Sequence, residues 1–454
     1  MVSVFSLQII VAFPCMLSHC YANCSSHVVL FTLIWYRDAG MVTPSHTPKG
    51  RGYDTSLNYF GHGNWMWTEA EWLGSYDHRP DVPLPQIIDF WDTDKPASAL
   101  NGTGYEEYLF RHRMLDIIEA HDPNTPLFLQ YDSKLCHYPL QAPQEYQDKF
   151  AMIGDSDNRR VYHAMVNFLD DQLANITGAL KAKGMWDNTL MVLSSDNGGF
   201  VGDPKGTCNT TASPTPSDAE DTGHGTACFN GEAGANNFPL RGGKYSMFEG
   251  GIRVNAFASG GFLPQAVRGS KLEGTIHIAD WYRTFANLAD VDPTDHQAAA
   301  SGLPPIDSLD VWPMLSGANL TSPRDDVGIV VNENLLVYGP WKYVRKGTNM
   351  IEAAYAGPHY PNATTAQPGG AIAGHNFKCS ATTGCLFHVV DDPTEQYEVS
   401  AQHPDVVAKL SAELDRQAAT IYTVSHKNDP ACTKAAWDRW GGFYGPWKEL
   451  DQLL

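Results

Sequence analysis

The fold is decided by the stretch Leu190-Met191-Val192-Leu193-Ser194-Ser195-Asp196-Asn197-Gly198-Gly199. A continuous apolar run without alternation predicts a strand of a parallel sheet that is covered on both faces. Asp196 and Asn197 then lie at the carboxyl end of the strand, the edge of an open α/β sheet where ligands bind. Their side chains offer the oxygen ligands that calcium or magnesium prefers, and the glycines let the backbone fold closely around an ion. The alternative is an Asx-type turn that only ends the strand.

A second strand pattern precedes this one and ends in polar residues as well. It covers Pro126–Tyr131, and His137 follows it. Apolar residues then recur at steps of three and four over Val161–Leu180, which predicts a helix that ends at Gly184. A strand, helix and strand joined by a right-handed crossover are parallel, so their carboxyl ends share one edge. We therefore expect His137 and Asp196 to face the same crevice.

A basic, glycine-rich segment lies further along the chain. Asn237–Arg253 contains three basic residues and four glycines, and a strand-like run, Val254–Ala258, follows it directly. Lys244 lies among these glycines, where a lysine can reach an oxyanion without steric obstruction. The alternative for Lys244 is a solvated surface lysine. Another segment, Tyr59–Trp91, is dense in aromatics; it predicts either a loop stabilised by its own packing or an apolar wall for a ring-bearing substrate.

The composition indicates an acidic globular protein with a large core. The chain has 454 residues, of which 43% are hydrophobic and 18% charged, and its net charge is -20. This charge argues against a nucleic acid partner, because no basic stripe can replace condensed counterions. The apolar runs within residues 1–36 are too short to span a bilayer. Beyond Pro323, short strands followed by an amphipathic helix over Val406–Tyr422 predict a small antiparallel sheet beside the main domain.

The cysteines and glycosylation triplets bear on the compartment. None of the nine cysteines has the C-x-x-C spacing of a zinc site. Asn-x-Ser/Thr triplets occur at Asn101, Asn175, Asn209, Asn319 and Asn362. They fit a secreted or lysosomal glycoprotein, in which disulfides Cys208–Cys228 and Cys379–Cys385 can form.

Five segments in this order resemble the arylsulfatases, in particular the arylsulfatase B-like branch. They are Arg51–Thr55, Cys136–Pro143, Leu193–Gly199, Asn237–Arg253 and Cys385–Gln396. The resemblance implies an alkaline-phosphatase-like α/β fold, with a mostly parallel sheet flanked by helices and a smaller C-terminal antiparallel-sheet subdomain. It also implies a sulfuric ester hydrolase that acts on a small-molecule or carbohydrate sulfate ester and binds one calcium ion.

The resemblance assigns roles to individual residues. Asp196 and Asn197 would be calcium ligands, His137 would hydrogen-bond or protonate the leaving oxygen, and Lys244 would hold a sulfate oxygen. A cation and a lysine neutralise the charge on sulfuryl oxygens, and an imidazole supplies a proton. His46 is the nearest histidine that could replace the one that relatives often carry in the region of Asp38.

The chain also departs from the pattern of the family. The family's nucleophile is a formylglycine made from the cysteine of a Cys-x-Pro-x-Arg motif, and no cysteine here begins that motif or Cys-x-Ala-x-Arg. The early Asp-Asp pair that completes the metal site is absent, and Asp170–Asp171 falls within the predicted helix. The agreement begins abruptly at Asp38. The sequence therefore predicts an unassigned or non-homologous leader over residues 1–37, a partial catalytic domain over 38–325 and a small subdomain over 326–454.

These departures lead to a hypothesis about the first strand of the sheet. We expect an arylsulfatase that lacks about a hundred N-terminal residues, so that core strands lose ladder partners at about 1–3 kcal/mol per buried group. Such a chain would have an incomplete calcium site and no turnover. The alternatives are a catalytically dead sulfatase-like protein that binds sulfated carbohydrate and, less favoured, a metal-dependent phosphodiesterase of the same superfamily, whose chemistry needs more metal ligands than are visible.

Overall fold

The computed structural model describes residues 5–11, 27–33, 42–61, 64–70, 86–137, 139–154, 157–200, 202–203, 231–232, 234–244, 246–345, 379, 383–421 and 430–449. The strands in this part of the chain are β1 (Phe5–Val11), β2 (His27–Leu33), β3 (Thr55–Tyr59), β4 (Trp91–Asp92), β5 (Lys95–Pro96), β6 (Leu127–Ser133), β7 (Thr189–Ser195), β8 (Gly202–Asp203), β9 (Gly231–Glu232), β10 (Ala256–Ser259), β11 (Ile329–Asn332), β12 (Leu335–Tyr338), β13 (Trp341–Val344) and β14 (Cys385–His388). The helices are α1 (Glu106–Ala120), α2 (Gln144–Asp148), α3 (Asp157–Ala182), α4 (Glu249–Ile252), α5 (Asp280–Leu288), α6 (His296–Ala300), α7 (Trp312–Leu315), α8 (Pro404–Ala418) and α9 (Pro430–Trp440).

The large sheet has the strand order β10-β7-β1-β6-β2-β3-β4-β5. β2 is parallel to β6 and β3, whereas β1 is antiparallel to both β6 and β7. It follows that β2, β3, β6 and β7 run in one direction, and β1, β4 and β10 run in the other. The carboxyl ends of β6 and β7 therefore share one edge of the sheet, as the crossover through α3 predicts.

The segment expected to be an unassigned leader contributes two strands to this sheet. Phe5 pairs with Ser133 of β6 and with Ser195 of β7, so β1 lies between these two strands. The expectation that core strands lose their ladder partners is therefore wrong for β6 and β7. The expectation assumed that a parallel strand was missing from the core of the sheet. The apolar run Phe5–Val11 fills the place between β6 and β7, and it pairs antiparallel with both strands. The division into domains at residues 37 and 325 stays a prediction.

β7 is buried along its whole length, which shows that the sheet is covered on both faces at this strand. Met191 and Leu193 belong to a core formed with α1 and α3. Leu190 and Val192, which point to the opposite face, pack with α5 and α7 through residues such as Trp281. The unbroken apolar run correctly predicts this burial on both faces. The parallel pairing expected for β7 is wrong, because its neighbours β1 and β10 are both antiparallel to it, and burial on two faces does not fix the direction of the adjacent strands.

The C-terminal part of the chain forms the predicted smaller sheet. Its order is β11-β12-β13-β14, and every described pairing in it is antiparallel. One face packs against α8 through Leu410 and Leu414, and the other packs against Phe248 just before α4. The predicted disulfide Cys379–Cys385 is formed, whereas Cys208 and Cys228 lie outside the described residues. None of the described helices is both long and apolar enough to cross a membrane.

Candidate functional site

The loop that follows β7 carries the two oxygen ligands predicted from the sequence. Asp196 is exposed and Asn197 is half-buried. The backbone N–H and the Nδ2 group of Asn197 donate hydrogen bonds to Asp196 Oδ1 at 2.7 and 2.6 Å. Ser195 Oγ donates to the carbonyl oxygen of Asn197 at 2.8 Å. The loop is thus a hydrogen-bonded turn that leaves a carboxylate at the carboxyl edge of the sheet, which agrees with both interpretations of the sequence.

Asn237 joins this loop to the glycine-rich segment. Its Oδ1 accepts a hydrogen bond from the backbone N–H of Gly199 at 3.0 Å. Its Nδ2 donates to the carbonyl oxygens of Gly199 and Gly242 at 2.8 and 3.1 Å. The backbone N–H of Lys244 donates to the same Gly199 oxygen at 3.2 Å. Two segments that are far apart in sequence are therefore bonded directly to each other.

The glycines are required for this close approach of backbones. Gly198 N–H donates to the carbonyl oxygen of Gly251 at 2.9 Å. A Cβ atom on Gly198 would lie 1.6 Å from the carbonyl oxygen of Gly250. A Cβ on Gly251 would lie 2.5 Å from the carbonyl oxygen of Gly243. Only residues without a side chain fit at these positions, which explains the glycine pairs of both motifs.

Lys244 is placed inside this packed loop rather than on the surface. Its exposed fraction is only 9%. Burial lowers the pKa of Lys244 well below its ordinary value, and the negative charge of Asp196 partly opposes this shift. The solvated-surface alternative is therefore wrong for Lys244. A lysine in this environment gains more from a bound anion than a solvated lysine does, because less water competes for its N–H groups.

His137 follows β6 and lies at the same edge of the sheet. It is buried, and its backbone N–H donates to the carbonyl oxygen of Lys134 at 3.0 Å. The preceding residue, Cys136, has a φ of 71° and a side-chain hydrogen bond with Tyr162 of α3. Burial raises the pKa of the Cys136 thiol well above its ordinary value, so it is a poor nucleophile.

Tyr162 lies between the His137 segment and the Asp196 loop, and no motif in the sequence points to it. A Cβ atom on Gly199 would lie 3.4 Å from Tyr162 Oη. Burial raises the pKa of Tyr162 well above its ordinary value, with further contributions from Cys136 and Asp196. The periodicity of α3 pointed to Val161 and Met165 as core residues, and Tyr162 is adjacent to that apolar stripe. Its hydroxyl group thus lies close to both the His137 segment and the Asp196 loop.

His46 makes only local contacts within the described residues. It ends a short 3-10 helix, Pro44–His46, in the connection between β2 and β3. Its Nδ1 atom hydrogen-bonds Thr43 Oγ1 at 2.6 Å, and its carbonyl oxygen accepts from Arg51 Nε at 2.9 Å. None of its described hydrogen bonds joins it to Asp196 or Lys244, and its role stays a prediction.

The aromatic segment Tyr59–Trp91 was interpreted either as a loop stabilised by its own packing or as an apolar wall for a substrate, and its described residues are of both kinds. Tyr59, Phe90 and Trp91 are core residues, whereas Trp65 and Trp67 are 36% and 39% exposed. The loop that carries these two tryptophans is tied to the His137 segment, because Met66 N–H donates to Gln141 Oε1 at 2.9 Å. Residues 71–85 of the segment lie outside the described residues.

The donors at the sheet edge fit a hard cation only in part. Asp196 and Asn197 supply carboxylate and amide oxygens, the ligand type that calcium prefers, but calcium takes about six to eight oxygen ligands. Across the described ranges, no group of three or more His, Cys, Asp or Glu side chains is arranged to hold a metal. Asp170 and Asp171 lie within α3, as predicted, and do not supplement Asp196. The two residues can therefore hold part of a coordination shell.

Comparison with known proteins identifies the family. The sequence profile described as Sulfatase matches residues 12–291 of this chain. The chain belongs to the sulfatase family. It is 29% identical to arylsulfatase J of Mus musculus over 88% of this chain and 61% of that protein, and 23% identical to N-acetylgalactosamine-6-sulfatase of Homo sapiens over 83% and 64%. This sulfatase-family chain thus spans about three fifths of the length of the curated relatives that it matches.

Solved structures of similar fold support the same architecture. The structure of Ps i-CgsB in complex with k-i-k-neocarrahexaose has a TM-score of 0.61 at 21% identity, over 92% of this chain and 76% of that one. A structure from work on glycosaminoglycan metabolism by Bacteroides thetaiotaomicron has a TM-score of 0.51 at 19% identity, over 87% and 79%. The predicted α/β sulfatase fold is therefore confirmed. Members of this family generally use a metal ion.

Proposed function

We propose that this chain carries the ester-binding part of an arylsulfatase-type sulfuric ester hydrolase site, in which Lys244, His137 and the Asp196 loop hold the sulfuryl group. The observation that carries the proposal is the burial of Lys244 beside Asp196, on two loops that Asn237 bonds together. A buried ammonium group next to a potential cation ligand suits an anion with several oxygens. A solvated lysine on an unrelated loop would not support this proposal.

Each residue has a distinct task in the proposed site. Lys244 donates hydrogen bonds to a sulfuryl oxygen, and His137 holds or transfers a proton at the oxygen that leaves. Asp196 and Asn197 contribute to a calcium site, and the ion, when bound, supplies positive charge that stabilises negative sulfuryl oxygens. Tyr162 orients the His137 segment relative to the Asp196 loop through its hydrogen bond with Cys136.

We further propose that the chain as printed binds its ester without turnover. None of its nine cysteines begins a Cys-x-Pro-x-Arg motif, and the buried Cys136 thiol has a raised pKa. The absence of that motif also favours the second candidate, a sulfatase-like protein that binds sulfated carbohydrate without cleaving it. The names and titles of its relatives and structural neighbours, together with the exposed Trp65 and Trp67, support a carbohydrate ester as the ligand.

A secreted or lysosomal location accompanies this proposal. The disulfide Cys379–Cys385 and the Asn-x-Ser/Thr triplets support an oxidising compartment that glycosylates its proteins. No nucleic acid partner is expected, because the net charge is -20.

The proposal is tested by measuring binding and hydrolysis on the same preparation. The expressed chain is titrated with 4-nitrophenyl sulfate in a calorimeter, with calcium and with a chelator, and release of 4-nitrophenol is followed by absorbance. We expect calcium to tighten binding and no product to appear. Calcium-dependent release of product contradicts the absence of turnover but supports the hydrolase assignment. Failure to bind 4-nitrophenyl sulfate or inorganic sulfate under any of these conditions refutes the proposed site.

A further inference from the structure

A buried cluster of charges lies between the C-terminal sheet and the segment that carries Lys244. Lys342 of β13 is fully buried, and its Nζ atom lies 3.2 Å from Glu249 Oε1 and 2.7 Å from Glu395 Oε1. Glu395 Oε2 also accepts the backbone N–H of Glu249 at 2.6 Å. Two carboxylates thus share a single ammonium group in the interior, an arrangement that is costly unless every hydrogen bond is formed.

The same cluster contacts the backbone of the Lys244 loop. Arg241 Nη1 donates to the carbonyl oxygen of Glu395 at 3.1 Å, and its guanidinium group lies 4.2 Å from the centre of the Phe248 ring. Gly250 N–H donates to the carbonyl oxygen of Arg241 at 2.6 Å. The two residues between Arg241 and Lys244, Gly242 and Gly243, therefore have little freedom, because both ends of this segment are held.

The packing of the C-terminal sheet adds to this restraint. Lys342 and Val344 are two positions apart in β13 and therefore lie on the same face of the strand. Val344 belongs to the apolar cluster that includes Phe248 and Phe387. Glu395 has a φ of 53°, a left-handed conformation that is unfavourable for a residue with a side chain. Burial raises the pKa of Glu395 to about 7, while Lys342 opposes the shift and Glu249 adds to it.

We propose that Lys342, Glu249 and Glu395 form a positioning device that sets the place of Lys244 against the Asp196 loop. Glu249 begins α4, and Gly250 and Gly251 of α4 pack directly on Gly198 and on the Lys244 loop. A shift of α4 therefore moves both loops of the anion site. None of the three residues touches the proposed anion; they act through the backbone of α4. This inference takes the identity of the anion from the proposed function. The contacts of α4 with the two loops do not depend on that function.

The experiment compares variants of the full chain by the reactivity of Lys244. Purified protein is labelled with a trace of acetic anhydride, and the acetylation of Lys244 is measured by mass spectrometry relative to Lys271, which is 80% exposed. Lys342→Met removes the shared ammonium group, whereas Lys342→Arg keeps a cation that can hydrogen-bond both carboxylates. Asp280→Asn is the matched control, because it weakens another buried ion pair, with Arg324, outside this loop.

We expect Lys342→Met to raise the labelling of Lys244 about tenfold, because small displacements of site loops have effects of that size or larger. Binding of 4-nitrophenyl sulfate should weaken in parallel. Lys342→Arg should restore both readouts to within about twofold, and Asp280→Asn should leave both near the wild-type value at a temperature where it is folded. If Lys342→Met does not fold, Glu395→Gln tests the same point, since it keeps the size of the side chain and an acceptor for the Glu249 N–H.

The outcomes separate this inference from the proposed function. Wild-type labelling of Lys244 in folded Lys342→Met or Glu395→Gln overturns the positioning role, even where 4-nitrophenyl sulfate binds normally. An equal rise in Asp280→Asn also overturns it, because the effect then follows from lost stability alone. A rise confined to the cluster variants, in a protein that binds no sulfate ester, supports the positioning role and refutes the proposed function.

Discussion

At the scale of single residues, the burial of Lys244 bears on what its ammonium group can bind. A lysine that is 9% exposed has lost most of its water, and its lowered pKa records the cost of keeping the charge there. Such a residue contributes little to stability but binds an anion well when one is supplied. The burial of Lys244 therefore supports its proposed binding role.

The first prediction follows from this cost. Lys244→Met should weaken the binding of 4-nitrophenyl sulfate about tenfold or more, because a hydrogen bond to a charged group is worth about 1.5–3 kcal/mol. Its free energy of unfolding is measured alongside, so that loss of binding is separated from loss of the fold. The control Lys271→Met alters an exposed lysine that pairs with Glu273 at 2.8 Å and should bind normally. Unchanged affinity in the folded Lys244→Met variant contradicts the role given to Lys244.

Besides the cluster around Lys342, a second cluster of buried polar side chains lies around Lys134, three residues before His137. Lys134 Nζ lies 3.4 Å from Glu106 Oε1 and donates to Asn64 Oδ1 at 2.7 Å. Glu107 accepts hydrogen bonds from Tyr131 and Ser133. Burial raises the pKa of Glu107 to about 7, and the charge of Glu106 adds to the shift. These groups lie in the core, so Lys134 serves the structure although the sequence places it in the polar end of a strand.

The second prediction concerns the pH dependence that Glu107 produces. Its pKa is higher in the folded chain than in the unfolded chain, so the folded state binds more protons between the two values. Its stabilising contribution is therefore complete below about pH 4.5 and is lost as the pH rises to about 7, by about 3 kcal/mol in total. Glu107→Gln should reduce the loss of unfolding free energy between about pH 4.5 and 7, measured by urea unfolding at several pH values. The part that remains comes from other buried carboxyls such as Glu395, whose pKa burial also raises to about 7.

The control for this prediction is Glu119→Gln, an exposed carboxylate on the same helix α1. It should leave the pH dependence of the unfolding free energy as it is in the wild type. A Glu107→Gln protein whose stability still falls between acidic and neutral pH by the wild-type amount shows that other groups carry the effect.

At the scale of elements, the contact between the β7 loop and α4 depends on glycine. Gly198→Ala places a Cβ atom 1.6 Å from a carbonyl oxygen, so the two segments must separate. We expect a loss of about 2–4 kcal/mol in unfolding free energy, as for overpacking of a core. Sulfate ester binding should be lost with it. Both quantities are measured by urea unfolding and calorimetry.

The matched control is Gly178→Ala within α3. No atom lies within 4 Å of a Cβ atom on Gly178. Alanine is the better helix former there by about 1 kcal/mol, so this variant should be as stable as the wild type or more stable. Equal stability of Gly198→Ala and Gly178→Ala would contradict the close contact of the loops.

The elements that the sequence predicts well are those with strong local patterns. β7 and α3 follow from an unbroken apolar run and from a regular helical spacing, and both lie where they were expected. β1 was not predicted as part of the sheet, because its pairing with β6 and β7 depends on residues more than a hundred positions away. α9 was missed as well; Pro430 at its first position was the available start signal.

At the scale of the whole molecule, motifs located most of the candidate site but not its support. Asp196, Asn197 and Lys244 were found because each lies in a short glycine-containing stretch, and His137 because it follows a buried strand. Glu249 and Glu395 lie in two of the segments that resemble the arylsulfatases, but no local pattern connects them to each other or to Lys342. The members of this cluster are joined only in the folded chain, and each, taken alone, reads as an ordinary surface charge.

The separation of these charges along the chain has a consequence for biosynthesis. Glu249 is 93 residues from Lys342 and 146 residues from Glu395. During translation the Lys244 loop leaves the ribosome well before either of its anchors exists, while the N-terminal portion can already begin to fold. If the proposed positioning role holds, the Lys244 loop is therefore fixed late in synthesis, and a nascent polypeptide halted before Glu395 carries the predicted ligand-binding side chains without the charge cluster that positions them.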